Sequence, residues 1–110
     1  MMTGTQRIKA LLDGSPIDRT PIGGWYHMPL VDRNVTDFTR ELIASTDLNK
    51  WDFIKIMTNG HFYTEAYGGD IAFSKVNTMW SGTIKRYPIR SAADARNLPV
   101  LGIDNPVWQR

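Results

Sequence analysis

A few side chains in this sequence have the type and setting to do chemistry. His27 follows Trp25 and Tyr26. An imidazole there could face a ligand or move a proton, since its ordinary pKa lies near neutrality. Lys55 sits within the run Trp51–Met57. Alternation along an extended chain puts Phe53, Lys55, Met57 and Asn59 on one face and Ile54 and Ile56 on the other. A lysine on an inward face requires a counter-charge or a ligand; on an open edge its ammonium snorkels to water. Asn59 precedes Gly60, a dipeptide that often makes a turn. Placed at a strand end, its amide can also donate to and accept from a bound molecule. Trp25, His27, Lys55 and Asn59 are therefore the residues expected to line a substrate pocket. His61 and Glu65 are four apart, the spacing of two metal ligands on a helix. No third ligand accompanies them, so no metal site is expected in this chain.

Composition narrows what those groups could serve. The chain has 110 residues and no cysteine, which removes disulfides, thiolate zinc sites and a cysteine nucleophile. The formal charge is +2, and the longest basic run is Lys85-Arg86, so no nucleic-acid footprint is expected. No apolar run approaches the ~20 residues of a membrane span, and the N-terminus lacks the apolar stretch of a signal peptide. These features predict a globular, cytoplasmic protein with no membrane partner.

The elements that must hold the candidate residues can be read from spacing and capping. Thr3 and Gln6 have capping-box spacing, Ile8, Leu11 and Leu12 make one apolar face, and Gly14 is a C-terminal stop. A strand opened by Pro21 is expected to run through Ile22, Gly23, Gly24 and Trp25 to His27. Its two glycines suit a place where backbones or a ligand approach closely. Val35, Phe38, Leu42 and Ile43 recur at helical spacing over 34–46, with Asp32 as a possible N-cap and Asp47–Lys50 closing the helix. Trp51–Met57 reads as a strand covered on both faces. The order strand, helix, strand predicts a βαβ unit with parallel strands. Farther on, Ile71, Phe73 and Val76 and then Thr83–Tyr87 predict an antiparallel hairpin turning over Asn77–Gly82. Ser91, with Asp94 three residues on, caps a short helix ended by Leu98-Pro99. Asp104 to Arg110 look like the start of another helix, with Pro106 in its first turn.

One βαβ unit and one hairpin do not close an architecture. The expectation is that residues 1–110 form a single partial domain, the N-terminal portion of an α/β, (β/α)8 TIM barrel of ~250 residues or more, with an inserted β-hairpin. The residue order agrees. Arg7…Ala10-Leu11…Gly14…Asp18-Arg19-Thr20-Pro21-Ile22 resembles the opening of the uroporphyrinogen decarboxylase superfamily, which includes the corrinoid-dependent methyltransferases. Trp51–Met57 resembles its second barrel strand, Gly68–Phe73 the extended segment after it, and Pro88-Ile89-Arg90-Ser91-Ala92-Ala93-Asp94…Leu98 the lead-in to the next helix.

The resemblance implies a parent enzyme acting on a tetrapyrrole, a corrinoid or a methylated small molecule, with a corrinoid protein as a possible partner and zinc or corrinoid as possible cofactors. It also implies that Asn59 stands at the catalytic aspartate position, and that the arginine-rich loop of the decarboxylases falls on Tyr26–Leu30, where arginine is missing until Arg33. An amide at 59 cannot carry the charge that would stabilise a protonated pyrrole. Methyl transfer therefore fits these residues better than decarboxylation, and the chain alone is expected to show no turnover. The alternative from another class is a non-catalytic α+β binding module that covers its strand edges by forming a homo-oligomer.

Overall fold

The computed structural model describes residues 1–110, in two compact units. The first comprises Met1–Tyr26 and Thr36–Met57, the second His27–Val35 and Thr58–Arg110. The chain is 31% helical and its one sheet is a two-stranded antiparallel pair.

In the first unit, helix α1 (Gly4–Leu12) begins at a complete capping box. Gln6 N–H donates to Thr3 Oγ1 at 3.2 Å, and Thr3 N–H donates to Gln6 Oε1 at 2.8 Å. Helix α2 spans Val35–Asn49. Both helices end in the same way. Ser15 N–H reaches Ala10 O and Gly14 N–H reaches Leu11 O, with Gly14 at φ 67°. Trp51 N–H reaches Thr46 O and Lys50 N–H reaches Asp47 O, with Lys50 at φ 56°. The left-handed residue that this motif needs is a glycine in one case and a lysine in the other.

The main buried anchor of this unit is charged. Arg7 is 2% exposed, the most enclosed large side chain in the chain. Its Nε donates to Asp18 Oδ1 at 2.6 Å, its Nη2 to Asp18 Oδ2 at 2.9 Å and to Met2 O at 2.6 Å, and its Nη1 to Asp52 Oδ1. Arg19 forks onto Asp52 from the other side, at 2.6 and 3.1 Å. Asp52 Oδ2 also accepts from Ile22 N–H at 2.8 Å, and Asp52 N–H donates to Ile22 O at 2.7 Å. The Arg7 guanidinium holds the Asp18 carboxyl far below the usual carboxylate range. Arg19, with Ile22 N–H, lowers Asp52 in the same sense.

The second unit contains helix α3 (Phe62–Ala66), strand β1 (Asp70–Phe73), strand β2 (Gly82–Arg86) and helix α4 (Ala92–Arg96). The hairpin pairs Asp70 with Arg86, Ile71 with Ile84, Ala72 with Thr83 and Phe73 with Gly82, and has an irregularity between Asp70 and Ile71. Ser91 caps α4 by accepting from Asp94 N–H at 3.2 Å. Met28 and Ile71 are the buried apolar side chains of this unit, as Phe38 is of the first.

The barrel expectation is overturned. The stretches expected as parallel strands, Ile22–His27 and Trp51–Met57, lie outside regular strands. In the first unit Ile22 and Asp52 share their bond, but no ladder continues from it. Ile54 and Ile56 remain 44% and 68% exposed, so the cover that a doubly buried strand needs is missing. No βαβ unit and no (β/α)8 portion is evident. The last residues also differ from expectation. Trp108 N–H reaches Asn105 O and Asn105 Oδ1 accepts from Val107 N–H, which gives turns over 103–108 and no helix.

Two outcomes follow from these anchors. Lys50→Gly should raise the melting temperature by a few degrees, because a left-handed L-residue costs roughly 1–2 kcal/mol and glycine offsets only part of that gain by its own entropy; an unchanged or lower melting temperature would contradict it. Asp18 and Asp52 bind protons more weakly when folded than when unfolded. Their contribution is therefore complete above the ordinary carboxylate range and drains away as the pH falls below about 4. Arg7→Met should lower the melting temperature at pH 7 by ~10 °C or more, with Arg7→Lys between, because one ammonium cannot fork onto two carboxylates. Thermal melts across pH check both statements, and Arg7→Met should flatten the acid limb.

Candidate functional site

The residues expected to line one pocket divide between the units. Trp25 and Lys55 belong to the first. The Lys55 ammonium lies over the Trp25 ring, 4.6 Å from its centre, so its positive charge meets an aromatic face and no carboxylate. Tyr26 and Trp51 meet edge-on at 6.3 Å. The glycines before them are fitted to these rings. A Cβ on Gly23 would come within 2.3 Å of the Phe53 ring, and one on Gly24 within 2.3 Å of the Trp51 indole.

His27 and Asn59 belong to the second unit. Asn59 is 3% exposed. Its Oδ1 accepts from His61 N–H at 2.8 Å, which makes the Asn-Gly turn, and its Nδ2 donates to Asp32 Oδ1 at 3.1 Å. Asp32 Oδ2 accepts from Ser81 Oγ at 3.5 Å. Asp32 does not cap α2, as its sequence position suggested; that helix begins at Val35 and the carboxylate turns to Asn59 and Ser81.

Asp32, Thr58, Asn59, Phe62, Val107, Trp108 and Arg110 line a cavity of about 230 Å³. Burial pushes the Asp32 carboxyl up from its usual value, against the opposing pull of Asn59, Ser81, His27 and Arg33. The walls are aromatic. Phe62 and Trp108 meet edge-on at 5.4 Å, and Tyr63 packs on Trp108 at 5.7 Å. Arg110 forks onto Glu65, Nη1 to Oε1 at 2.8 Å and Nη2 to Oε2. That pairing lowers Glu65 and raises Arg110. Arg33 Nη2 stands 4.0 Å from Glu65 Oε1, and its guanidinium lies 3.8 Å over the Phe73 ring.

A carboxyl that burial makes a better proton holder, set beside an amide donor and aromatic walls, can give or take a proton on a small bound molecule. His61 and Glu65 do not converge on an ion. His61 Nε2 meets Gly82 O at 3.0 Å, whereas Glu65 is committed to Arg110. No three His, Cys, Asp or Glu side chains form a group able to hold a metal. No helix is long and apolar enough to cross a membrane. No protein family, curated protein or solved structure matches this chain.

Of the four residues singled out from the sequence, Asn59 alone lines the cavity. Sequence reasoning missed Asp32, Trp108 and Arg110. The signal for Asp32 was slight: a carboxylate just past Pro29-Leu30, legible only as a helix cap.

The burden on Asp32 can be measured. When folded it binds a proton more tightly than when unfolded, so its ionisation costs stability from the ordinary carboxylate pKa upward. Asp32→Asn keeps an acceptor for Asn59 Nδ2 and should raise the melting temperature by a few degrees at pH 7. The gain should shrink below pH 4, where the native carboxyl is neutral anyway. Melts of both proteins at the two pH values decide it, and a destabilised variant at pH 7 would contradict it.

Proposed function

We propose that this chain carries a small-molecule site of an enzyme similar in class to the uroporphyrinogen decarboxylase and corrinoid methyltransferase superfamily, and that the site serves methyl transfer on a small substrate. The observation that carries the reading is the Asp32–Asn59 pair. At the position where the resemblance implies an aspartate, the amide of Asn59 holds a carboxylate 3.1 Å away. The acidic group is thus supplied from residue 32.

The size of the cavity favours a small substrate over a tetrapyrrole. About 230 Å³ lies below the ~300–1,000 Å³ of sites for drug-sized ligands, and a four-ring macrocycle exceeds it. When a methyl group leaves a nitrogen, oxygen or sulfur for an outside nucleophile, the bonding pair stays on that heteroatom, which must carry a positive charge or a proton to leave as a neutral group. In this reading the Asp32 carboxylate holds the protonated heteroatom, which keeps its proton and leaves neutral. Asn59 and Ser81 orient the carboxyl group, and Phe62 and Trp108 supply an apolar wall beside it. Zinc, a cofactor that the methyltransferase resemblance implies, finds no fitting ligand set among these residues. A corrinoid would come from a partner protein. The lack of cysteine and the scattered charge go with a cytoplasmic setting.

Backbone and indole NMR shifts of the full chain, titrated with methylated amines, ethers and thioethers and separately with a tetrapyrrole, test the proposal. One methylated class should shift Asn59, Phe62 and the Trp108 indole saturably, with no turnover by the chain alone. Shifts at those residues from the tetrapyrrole, or from nothing in the panel, would overturn it.

A second reading has its own support. Ile22, Ile54 and Ile56 are 56%, 44% and 68% exposed on stretches without a ladder, as in a module that covers them by self-association. Sedimentation should then show a dimer or higher oligomer that Ile56→Lys disperses; a monomer at high concentration removes this reading.

A further inference from the structure

The charges around the cavity narrow the substrate further. Asp32 brings a carboxylate that burial makes costly and that accepts from the neutral donors Asn59 Nδ2 and Ser81 Oγ. A ligand cation would complete it. At the same cavity stands Arg110. Glu65 takes one N–H from each of its two Nη atoms. A guanidinium has five N–H donors, so three remain. Glu65 also lies 4.0 Å from Arg33, so two guanidinium groups share this one carboxylate. The same cavity is lined by the rings of Phe62 and Trp108, in edge-on contact, and by Val107.

A simple amine would satisfy Asp32 and leave the remaining Arg110 donors unanswered. A simple acid would do the reverse and face Asp32 as a like charge. A zwitterion with an apolar body answers both. We infer that the ligand is a small α-amino acid-like zwitterion, its ammonium on Asp32, its carboxylate on Arg110, and its apolar side chain against the rings of Phe62 and Trp108. The inference rests on the small-molecule reading of this cavity and names its substrate class.

Three probes separate the charges: N-methylleucine, N-methylisopentylamine and 4-methylpentanoate, titrated into the full chain by NMR and calorimetry. N-methylleucine should bind at least tenfold more tightly than either of the others. Asp32→Asn should weaken N-methylleucine and the amine tenfold or more and spare the acid. Glu65→Gln, which leaves Arg110 without its resident carboxylate, should tighten N-methylleucine and the acid severalfold and leave the amine unchanged. Native N-methylleucine affinity should fall as acid protonates Asp32, whose charged neighbours are His27, Arg33 and Arg110, and Asp32→Asn should abolish that dependence. If the amine binds as well as N-methylleucine, or Glu65→Gln changes nothing, the zwitterion inference is overturned while the small-molecule reading stands. If no probe shifts Asn59 or Trp108, and the wider methylated panel also fails, both fall together.

Discussion

In the first unit, the ion pairing of Arg7 takes the place that an apolar core usually holds. A guanidinium removed from water is tolerable only where its donors meet acceptors in good geometry. Arg7 meets two carboxylates and a carbonyl, and those acceptors come from three separated points of the chain: Met2, Asp18 and Asp52. The same contacts that neutralise the charge tie α1 to the loop after it and to the start of the extended run at Trp51. Phe38 is the single buried apolar side chain here, so few other contacts could fix those three segments together. Directionality makes the difference. Apolar contacts tolerate sliding, whereas a planar fork onto carboxylates specifies angle as well as distance.

The second unit uses the same kind of group to the opposite end. Asp18 and Asp52 are charged and matched, and their affinity for protons drops. Asp32 is charged and only partly matched; amide and hydroxyl donors hold it while burial raises its proton affinity. A carboxylate held against its own preference is a feature of sites more often than of scaffolds. Glu65 shows how easily the local structure could have relieved it, because that carboxylate nearby is faced by both Arg110 and Arg33. Arg110 and Arg33 pair with Glu65, and Asp32 is left with the neutral donors at the cavity.

Legibility from sequence followed the range of the interaction. The capping box at Thr3 and Gln6, the Ser91 cap of α4, the periodicity of α2 and the hairpin all rest on contacts between near neighbours in the chain, and each could be read. Trp51–Met57 could not, because an apolar run has the same appearance whether a neighbouring strand is present or absent. Helix α3 is too short to show a period, and its aromatic residues read only as apolar. The site was legible at Asn59, where a turn dipeptide ends an extended run. Asp32, Trp108 and Arg110 are brought to it across the unit: Asp32 is 27 residues from Asn59, and Arg110 is 45 from Glu65. Nothing in local spacing encodes such separations.

The glycine pair at 23–24 shows why a correct local inference can still lead to the wrong architecture. Close approach was the right reading, since the rings of Phe53 and Trp51 fill the space that side chains there would need. What approaches is a side chain of the same unit, and it does not require a sheet. Rings laid over a glycine backbone bring Ile22 and Asp52 together, and a single backbone bond joins them. A ladder would need successive bonds in register, and those exchange with water at little net gain unless apolar faces are buried at the same time. With Ile54 and Ile56 still meeting solvent, that second contribution is missing in the chain as it stands. The extended run therefore keeps the composition of a buried strand without the partners that would make it one, and its apolar face, rather than its backbone, is what a further polypeptide would have to cover first.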